Sequence, residues 1–418
     1  MNATALMNTT TAVHLSYSHP RYMSWTKGVV TQLHPIVKKN CTKLMDGDKA
    51  EMAHVAEAML TWNIEDNSTD IFGNVSDCGQ IENDFYNDYY VSAEERTFPI
   101  AYVLIVYTNP QQVVRFLRAV YRPHNLYCIH PDLKSGKEFS AVFYLLSRCL
   151  PNVFIPSQIQ EVHYARGSIF EAQLSCYQDL DKYPADKWHY VINLCGRELP
   201  LRTNHEIVNY LKAMNGTSII RPSHVDNRTL NERFHWKQRT AINYKHVKHN
   251  KPLYTSEELG RPPFDIQLYK SSSYNALSRV FVLFFLHNQT VQTFMQWIKH
   301  AWVPEEHFYA SVYMMPGSPG GHSSPHPITS LAVVSKAIWR PQQSHGSSEK
   351  CPGKRVHQIC ILTSTELPLV KNVFKENVWF LNKYFMEDDH VIMDCVEEVL
   401  VKKNVEEFHQ DSHFLTYT

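Results

Sequence analysis

The stretch at 188–204, WHYVINLCGRELPLRTN, decides the fold. Val191, Ile192 and Leu194 form a short apolar run, Gly196 and Pro200 interrupt it, and Asn204 precedes the helical spacing of HEIVNYLKAM. This order predicts a buried β-strand that runs into a turn and then a helix cap. In open α/β sheets ligands bind beyond the carboxyl ends of the strands, so Cys195, Gly196, Arg197 and Glu198 are expected to face a substrate cleft.

Around that stretch, from Pro99 onward, β-rich runs alternate with helical patterns: IAYVLIVY, PQQVVRFLRAVY, NLYCIHPD, FSAVFYLLSRCL and NVFIPS. The alternation predicts βαβ units and a largely parallel sheet, an α/β fold. RGSIFEAQLSCYQDLDKY (166–183) has Ile169, Ala172, Leu174 and Cys176 at the spacing of an amphipathic helix. Residues 215–265 are polar, basic and His-rich and predict a long surface loop. A further helical stretch is expected over 278–302, a Gly/Pro/Ser loop over 314–327, and a late core strand in VHQICILTS, 356–364. Residues 1–95 show little periodicity and read as a stem that packs where Cys41 and Cys78 tie it down. The expected division is an extension over 1–95, an α/β domain over 96–405 and a tail over 406–418.

The chain has 418 residues, with 41 basic and 41 acidic side chains and no long run of one sign, so nothing points to nucleic acid. Eight N-x-(S/T) sequons occur, at Asn2, Asn8, Asn40, Asn67, Asn74, Asn215, Asn227 and Asn288. Chance would supply about two in a chain of ordinary composition. With nine cysteines and no C-x-x-C pair, this excess implies the secretory pathway and an oxidised framework with one free thiol. Spacing alone leaves the connectivity open. The first 25 residues lack the roughly 18 apolar residues of a membrane span, and VFVLFFL (280–286) is too short for one. The expectation is a sequence that lacks its natural start.

Several blocks carry a family resemblance. INLCGRELPLRTN is similar to the INLCG-x-(D/E)-(F/L)-P-(I/L)-(K/R)-TN block of the core 2/I-branching β-1,6-N-acetylglucosaminyltransferases (glycosyltransferase family 14). NCTK (40–43), FPIAYVLIVY (98–107), RFLRAVYRPHNLYCIHPD (115–132), PNVFIPS (151–157) and VPEEHFYASV (303–312) follow in the family's order. The resemblance, over about 40–400, implies a GT-A-type nucleotide-sugar transferase fold with a disulfide-tethered N-terminal extension. It also implies a Golgi lumenal, type II membrane protein that processes O-glycans, with UDP-GlcNAc as donor, no cofactor or metal, and a glycan or glycoprotein acceptor; a homo-oligomer stays open. The implied disulfides are Cys41–Cys395, Cys78–Cys149, Cys128–Cys176 and Cys351–Cys360, with Cys195 free.

Two Asp-x-Asp strings, at 46–48 and 179–181, are the motif with which many GT-A enzymes hold a metal. Neither lies at a strand end, and both read as solvated surface. Fixed positive charge is then expected to stabilise the leaving UDP. By resemblance Lys383 is one such cation. The family's second, an Arg, falls on His357, and strand periodicity puts Arg355 on the same face as His357. Asp132 and Tyr164 match the residues that hold uridine, although locally they read as a turn Asp and a core Tyr. Glu306 matches the general base, while Pro304 with two acids is also what a plain helix start looks like. Glu198, Arg228 and Trp339 are the expected acceptor contacts; Val225, Ser271 and Pro341 depart from the family's acceptor blocks. Besides transfer in β-1,6 linkage, a non-catalytic binding homologue and a xylosyltransferase-like activity fit the sequence.

Overall fold

The computed structural model describes residues 37–60, 78–86, 90–238, 254–321, 331–339, 351 and 353–410. Strands β1 (Ile100–Val106), β2 (Leu126–Pro131), β3 (Val153–Phe154) and β4 (Tyr190–Leu194) are separated by the helices Pro110–Val120, Lys137–Cys149 and Gly167–Asp181. β5 (Glu198–Pro200), β6 (Ser223–His224), β7 (Trp236–Gln238), β8 (Tyr254–Glu258) and β9 (Tyr269–Lys270) are short, and β10 (Ala276–Ser278) follows. Then come β11 (Val333–Ala337), β12 (Arg355–Val356), β13 (Ile359–Cys360) and β14 (Val378–Asn382). The main sheet has the order β10-β4-β1-β2-β3 and is parallel except for β10. In a second sheet β14 pairs parallel with β11 and antiparallel with β5.

Side-chain alternation builds the core. Ile100, Tyr102, Leu104 and Val106 enter one apolar layer with Val113, Phe116 and Leu117, whereas Ala101 and Val103 enter the opposite layer with Phe170 and Leu174. Both faces of the sheet are therefore covered, as parallel strands require. All five residues of β4 are buried, which is why that strand is apolar except at Asn193, whose side chain accepts from Asn275 N at 2.9 Å and donates to Ser273 O. Each large aliphatic chain so buried contributes about 1.5–3 kcal/mol.

The helix Asn204–Ala213 starts one residue earlier than the sequence suggests. Thr203 is its cap, in a reciprocal capping box with Glu206. Asn204 is instead buried, donating to Glu95 at 2.8 Å and accepting from Asn125 at 2.9 Å.

Four other expectations are corrected. The 278–302 stretch is two helices, Arg279–His287 and Gln289–Ile298, because Asn288 leaves the helical conformation and caps the second at Val291 N. The 215–265 region is more than a surface loop: Ile219, Ile220, Phe234 and Leu259 are buried, and the helix Asn227–Phe234 lies within it. The final helix, Val391–Gln410, runs through the expected tail boundary. The late core strand is a hairpin, β12 against β13, whose turn residues His357 and Gln358 have φ of 51° and 70°.

Disulfides join Cys41–Cys395, Cys78–Cys149, Cys128–Cys176 and Cys351–Cys360, and Cys195 is free. The N-terminal helices Cys41–Asp46 and Lys49–Leu60 put Leu44, Met45 and Val55 into a third apolar cluster with Leu381 and Val396. Asn40, Asn215 and Asn227 are exposed and Asn288 is half-buried; Asn2, Asn8, Asn67 and Asn74 lie outside the described residues. Among the described residues no helix is long and apolar enough to cross a membrane.

Candidate active site

The polypeptide places Glu306 by backbone constraints. Val303 takes φ 58°, a conformation that a β-branched residue rarely adopts. Its N–H donates to Ala165 O at 3.3 Å, and Ala165 itself has φ 59°. Thus the turn Pro304–Glu306 is fastened beside Tyr164. Glu306 N donates to Val303 O at 3.2 Å, and Ser271 N donates to Glu306 O at 2.8 Å.

Two cations hold one oxygen of the Glu306 carboxylate: Arg233 Nη1 lies 2.6 Å and Lys270 Nζ 3.7 Å from Oε2. The other oxygen, Oε1, has no partner among the described residues. Arg233 also donates to His307 Nε2 at 2.9 Å. A guanidinium only donates, so Nε2 accepts and the imidazole proton sits on Nδ1, 3.0 Å from Tyr269 O. Burial and the nearby Arg233 pull His307 down to about 3, which keeps the ring neutral. Neither Arg233 nor Lys270 was singled out by the sequence, which carries no signal for either.

Tyr164 is 57% exposed, so it is no core Tyr. Its ring stacks on His357 with centroids 4.4 Å apart and planes 13° from parallel. Burial raises the Tyr164 hydroxyl pKa, and Glu306 and Glu305 push the same way. His357 is lowered by burial and then by Lys383. The structure therefore brings Tyr164, His357, Lys383 and Glu306 together. Arg355 does not share a strand face with His357, because β12 ends at Val356. Its Nη1 is buried without a hydrogen-bond partner among the described residues.

Asp132, 2% exposed, caps the turn after β2. It accepts from Lys134 N at 2.9 Å, Lys134 Nζ at 2.6 Å and Val162 N at 3.1 Å, so it anchors the loop that presents Tyr164. Glu198 departs most from expectation. At 0% exposure its carboxylate accepts from Cys195 N, Arg197 N and Asn382 Nδ2 at 3.1, 3.0 and 3.2 Å, and braces the turn rather than facing acceptor. Beside it, burial and then Glu198 push the Cys195 thiol up to about 12. Arg228 is exposed and paired with Glu232 at 2.8 Å. Trp339, 55% exposed, bridges to Ile359 beside the hairpin and is not a core Trp.

The two Asp-x-Asp strings are engaged elsewhere. Asp46 pairs with Lys371 and Asp48 caps the helix Lys49–Leu60 through Glu51 N. Asp179 ties Ser157 to Lys182, and Asp181 meets His287.

A parallel sheet covered on both faces, with its polar residues gathered past the strand ends, is the architecture of a GT-A-like glycosyltransferase. Residues 100–370 match the family described as Branch, Core-2/I-Branching enzyme. The chain belongs to that family. It is 36% identical over 378 residues to a Danio rerio beta-1,3-galactosyl-O-glycosyl-glycoprotein beta-1,6-N-acetylglucosaminyltransferase 4, covering 89% of this chain and 86% of the relative. A Homo sapiens beta-1,3-galactosyl-O-glycosyl-glycoprotein beta-1,6-N-acetylglucosaminyltransferase is 30% identical over 408 residues, 93% and 91% of the two chains. A Mus musculus N-acetyllactosaminide beta-1,6-N-acetylglucosaminyl-transferase is 32% identical over 312 residues, 73% and 74%.

Proposed function

We propose that the chain transfers N-acetylglucosamine from UDP-GlcNAc, with inversion and in β-1,6 linkage, to an O-glycan or related glycan. The observation that carries this reading is Glu306: one carboxylate oxygen is braced by Arg233 and Lys270, and the other is unengaged beside Tyr164. That free oxygen would accept the proton of an acceptor hydroxyl as the hydroxyl oxygen attacks the anomeric carbon. The bond to the diphosphate breaks, and its electron pair leaves with UDP. Lys383 and His357, with Arg355, would meet the developing phosphate charge, a role that needs no metal. Tyr164 and the loop anchored by Asp132 would hold uridine, with Trp339 and Arg228 on the acceptor side.

The relatives' printed activities support the sugar and the linkage. The four disulfides fit a secretory-pathway lumen, for which the Golgi is proposed.

Labelled UDP-GlcNAc, EDTA and a panel of O-glycan and lactosamine acceptors test the reading. Transfer is expected with EDTA present and lost by about 100-fold or more in Glu306→Gln, while UDP still binds. Full activity in the variant would remove Glu306 from the chemistry. Activity lost to EDTA and restored by Mn²⁺ would overturn the metal-independent scheme.

A further inference from the structure

Arg197 and Lys383 form a like-charged pair across two strand ends. β5 runs antiparallel to β14 with Glu198 opposite Asn382, and one residue beyond that register Tyr384 N donates to Arg197 O at 3.1 Å. Lys383 is thus the residue between the last paired position of β14 and the one tied to Arg197. Both also approach one ring: the Arg197 guanidinium carbon lies 4.4 Å and Lys383 Nζ 6.0 Å from the Phe385 centroid. Lys354 reaches that ring at 5.6 Å, but Asp388 matches its charge at 3.1 Å. Neither Arg197 nor Lys383 has an acidic ion-pair partner among the described residues. Among the described residues the Arg197 guanidinium donates to neutral oxygens, Tyr107 O at 3.2 Å and Thr108 Oγ1, just past the end of β1. Like charges held close to one another disfavour the charged form. Burial pulls the Lys383 ammonium below its ordinary value and Arg197 acts in the same direction, while Cys195 and Glu198 act against it.

Two half-buried cations held close together, with no acidic ion-pair partner among the described residues, make a site for a doubly charged anion. We propose that Arg197 is a diphosphate-binding residue that acts with Lys383 on the sugar-nucleotide donor. This rests on the reading that the donor is a UDP-sugar. Tyr107 and Thr108 hold the guanidinium in place, and its fork can give two hydrogen bonds to phosphate oxygens where an ammonium acts as a point charge. Both cations also pack against the Phe385 ring, which keeps them near one another.

Calorimetric titration of the wild type, Arg197→Met and Arg197→Lys with UDP and with uridine tests the proposal. The expected result is a loss of about tenfold or more in UDP affinity for Arg197→Met, with uridine affinity unchanged and partial recovery in Arg197→Lys. An unchanged ratio of UDP to uridine affinity in Arg197→Met overturns the proposal. So does an equal loss for both ligands with a lowered melting temperature, which would reduce Arg197 to a tie between loops. Wild-type protein that binds UDP no more tightly than uridine would remove the diphosphate donor itself, a failure distinct from that of Arg197.

Discussion

Glu305 and Glu306 are neighbours in sequence with opposite surroundings. Glu306 meets two cations at the cleft, whereas Glu305 is 3% exposed and its Oε2 has no hydrogen-bond partner among the described residues. Burial and then the charge of Glu306 push the Glu305 carboxyl up to about 8, against 4.5 for an ordinary glutamate. Glu305 is therefore neutral at pH 7. Between those two values the unfolded chain has released this proton and the folded protein retains it. The folded state thus loses up to about 1.4 kcal/mol of stability for each pH unit climbed through that window. Glu305→Gln keeps the neutral shape and removes the loss. Melting curves of the two proteins should coincide near pH 5, and at pH 8 the variant should melt higher. A variant that melts lower at pH 8 would mean that the carboxylate is stabilised by a partner when ionised. Local pattern could not separate these two acids, since the fold decides which one points inward; only the family resemblance singled out Glu306.

The turn between β4 and β5 shows why an acid beyond a strand end need not face a ligand. Gly196 has φ 73°, and a Cβ there would sit 3.4 Å from Val113 and 3.5 Å from Val106, so the chain doubles back tightly enough to swing Glu198 inside. Glu198→Ala would strand several buried donors and is expected to cost about 3 kcal/mol or more in urea unfolding. Its activity loss should follow the folded fraction and be equal for all acceptors; a selective rise in acceptor KM at unchanged stability would return Glu198 to acceptor binding. The strand itself was legible because every residue of β4 is buried and Val191, Ile192 and Leu194 make it largely apolar. The role of Glu198 was not, because it depends on Asn382, 184 positions further on. The hairpin at His357 was missed for a different reason. Its turn places two non-glycine residues at positive φ, so the Gly or Asn-Gly signal of such a turn is absent and alternation reads on as a strand. The pairing of Arg197 with Lys383 belongs to the same class of hidden feature, since only the packing of β5 on β14 and of both cations on Phe385 brings them together.

At the scale of the molecule, the N-terminal extension and the final helix are fastened to each other and to the main sheet. Cys41–Cys395 closes a separation of 354 residues. Beside it in the final helix, Asp394 takes Arg115 and Lys39, the latter at 2.5 Å, while Glu397 takes Arg115 at 2.6 Å; Arg115 projects from the helix Pro110–Val120 that joins β1 to β2. Burial alone would raise the Asp394 carboxyl, but Arg115 and then His390 and Lys39 overcome it and hold it well below the ordinary value. The extension also packs in the apolar cluster that contains Leu199, Leu381 and Tyr384, the residues on either side of Arg197 and Lys383. A cross-link over so long a loop acts chiefly by restricting the unfolded chain, an effect of about 2–5 kcal/mol. The double variant Cys41→Ser, Cys395→Ser should therefore unfold at lower urea by that amount. Its UDP affinity well below the melting temperature should stay at the wild-type value, because the cluster and the Arg115 ion pairs still seat the strand ends. A fall in UDP affinity with little loss of stability would instead make the disulfide a direct brace of the cation pair, acting through Leu381 and Tyr384.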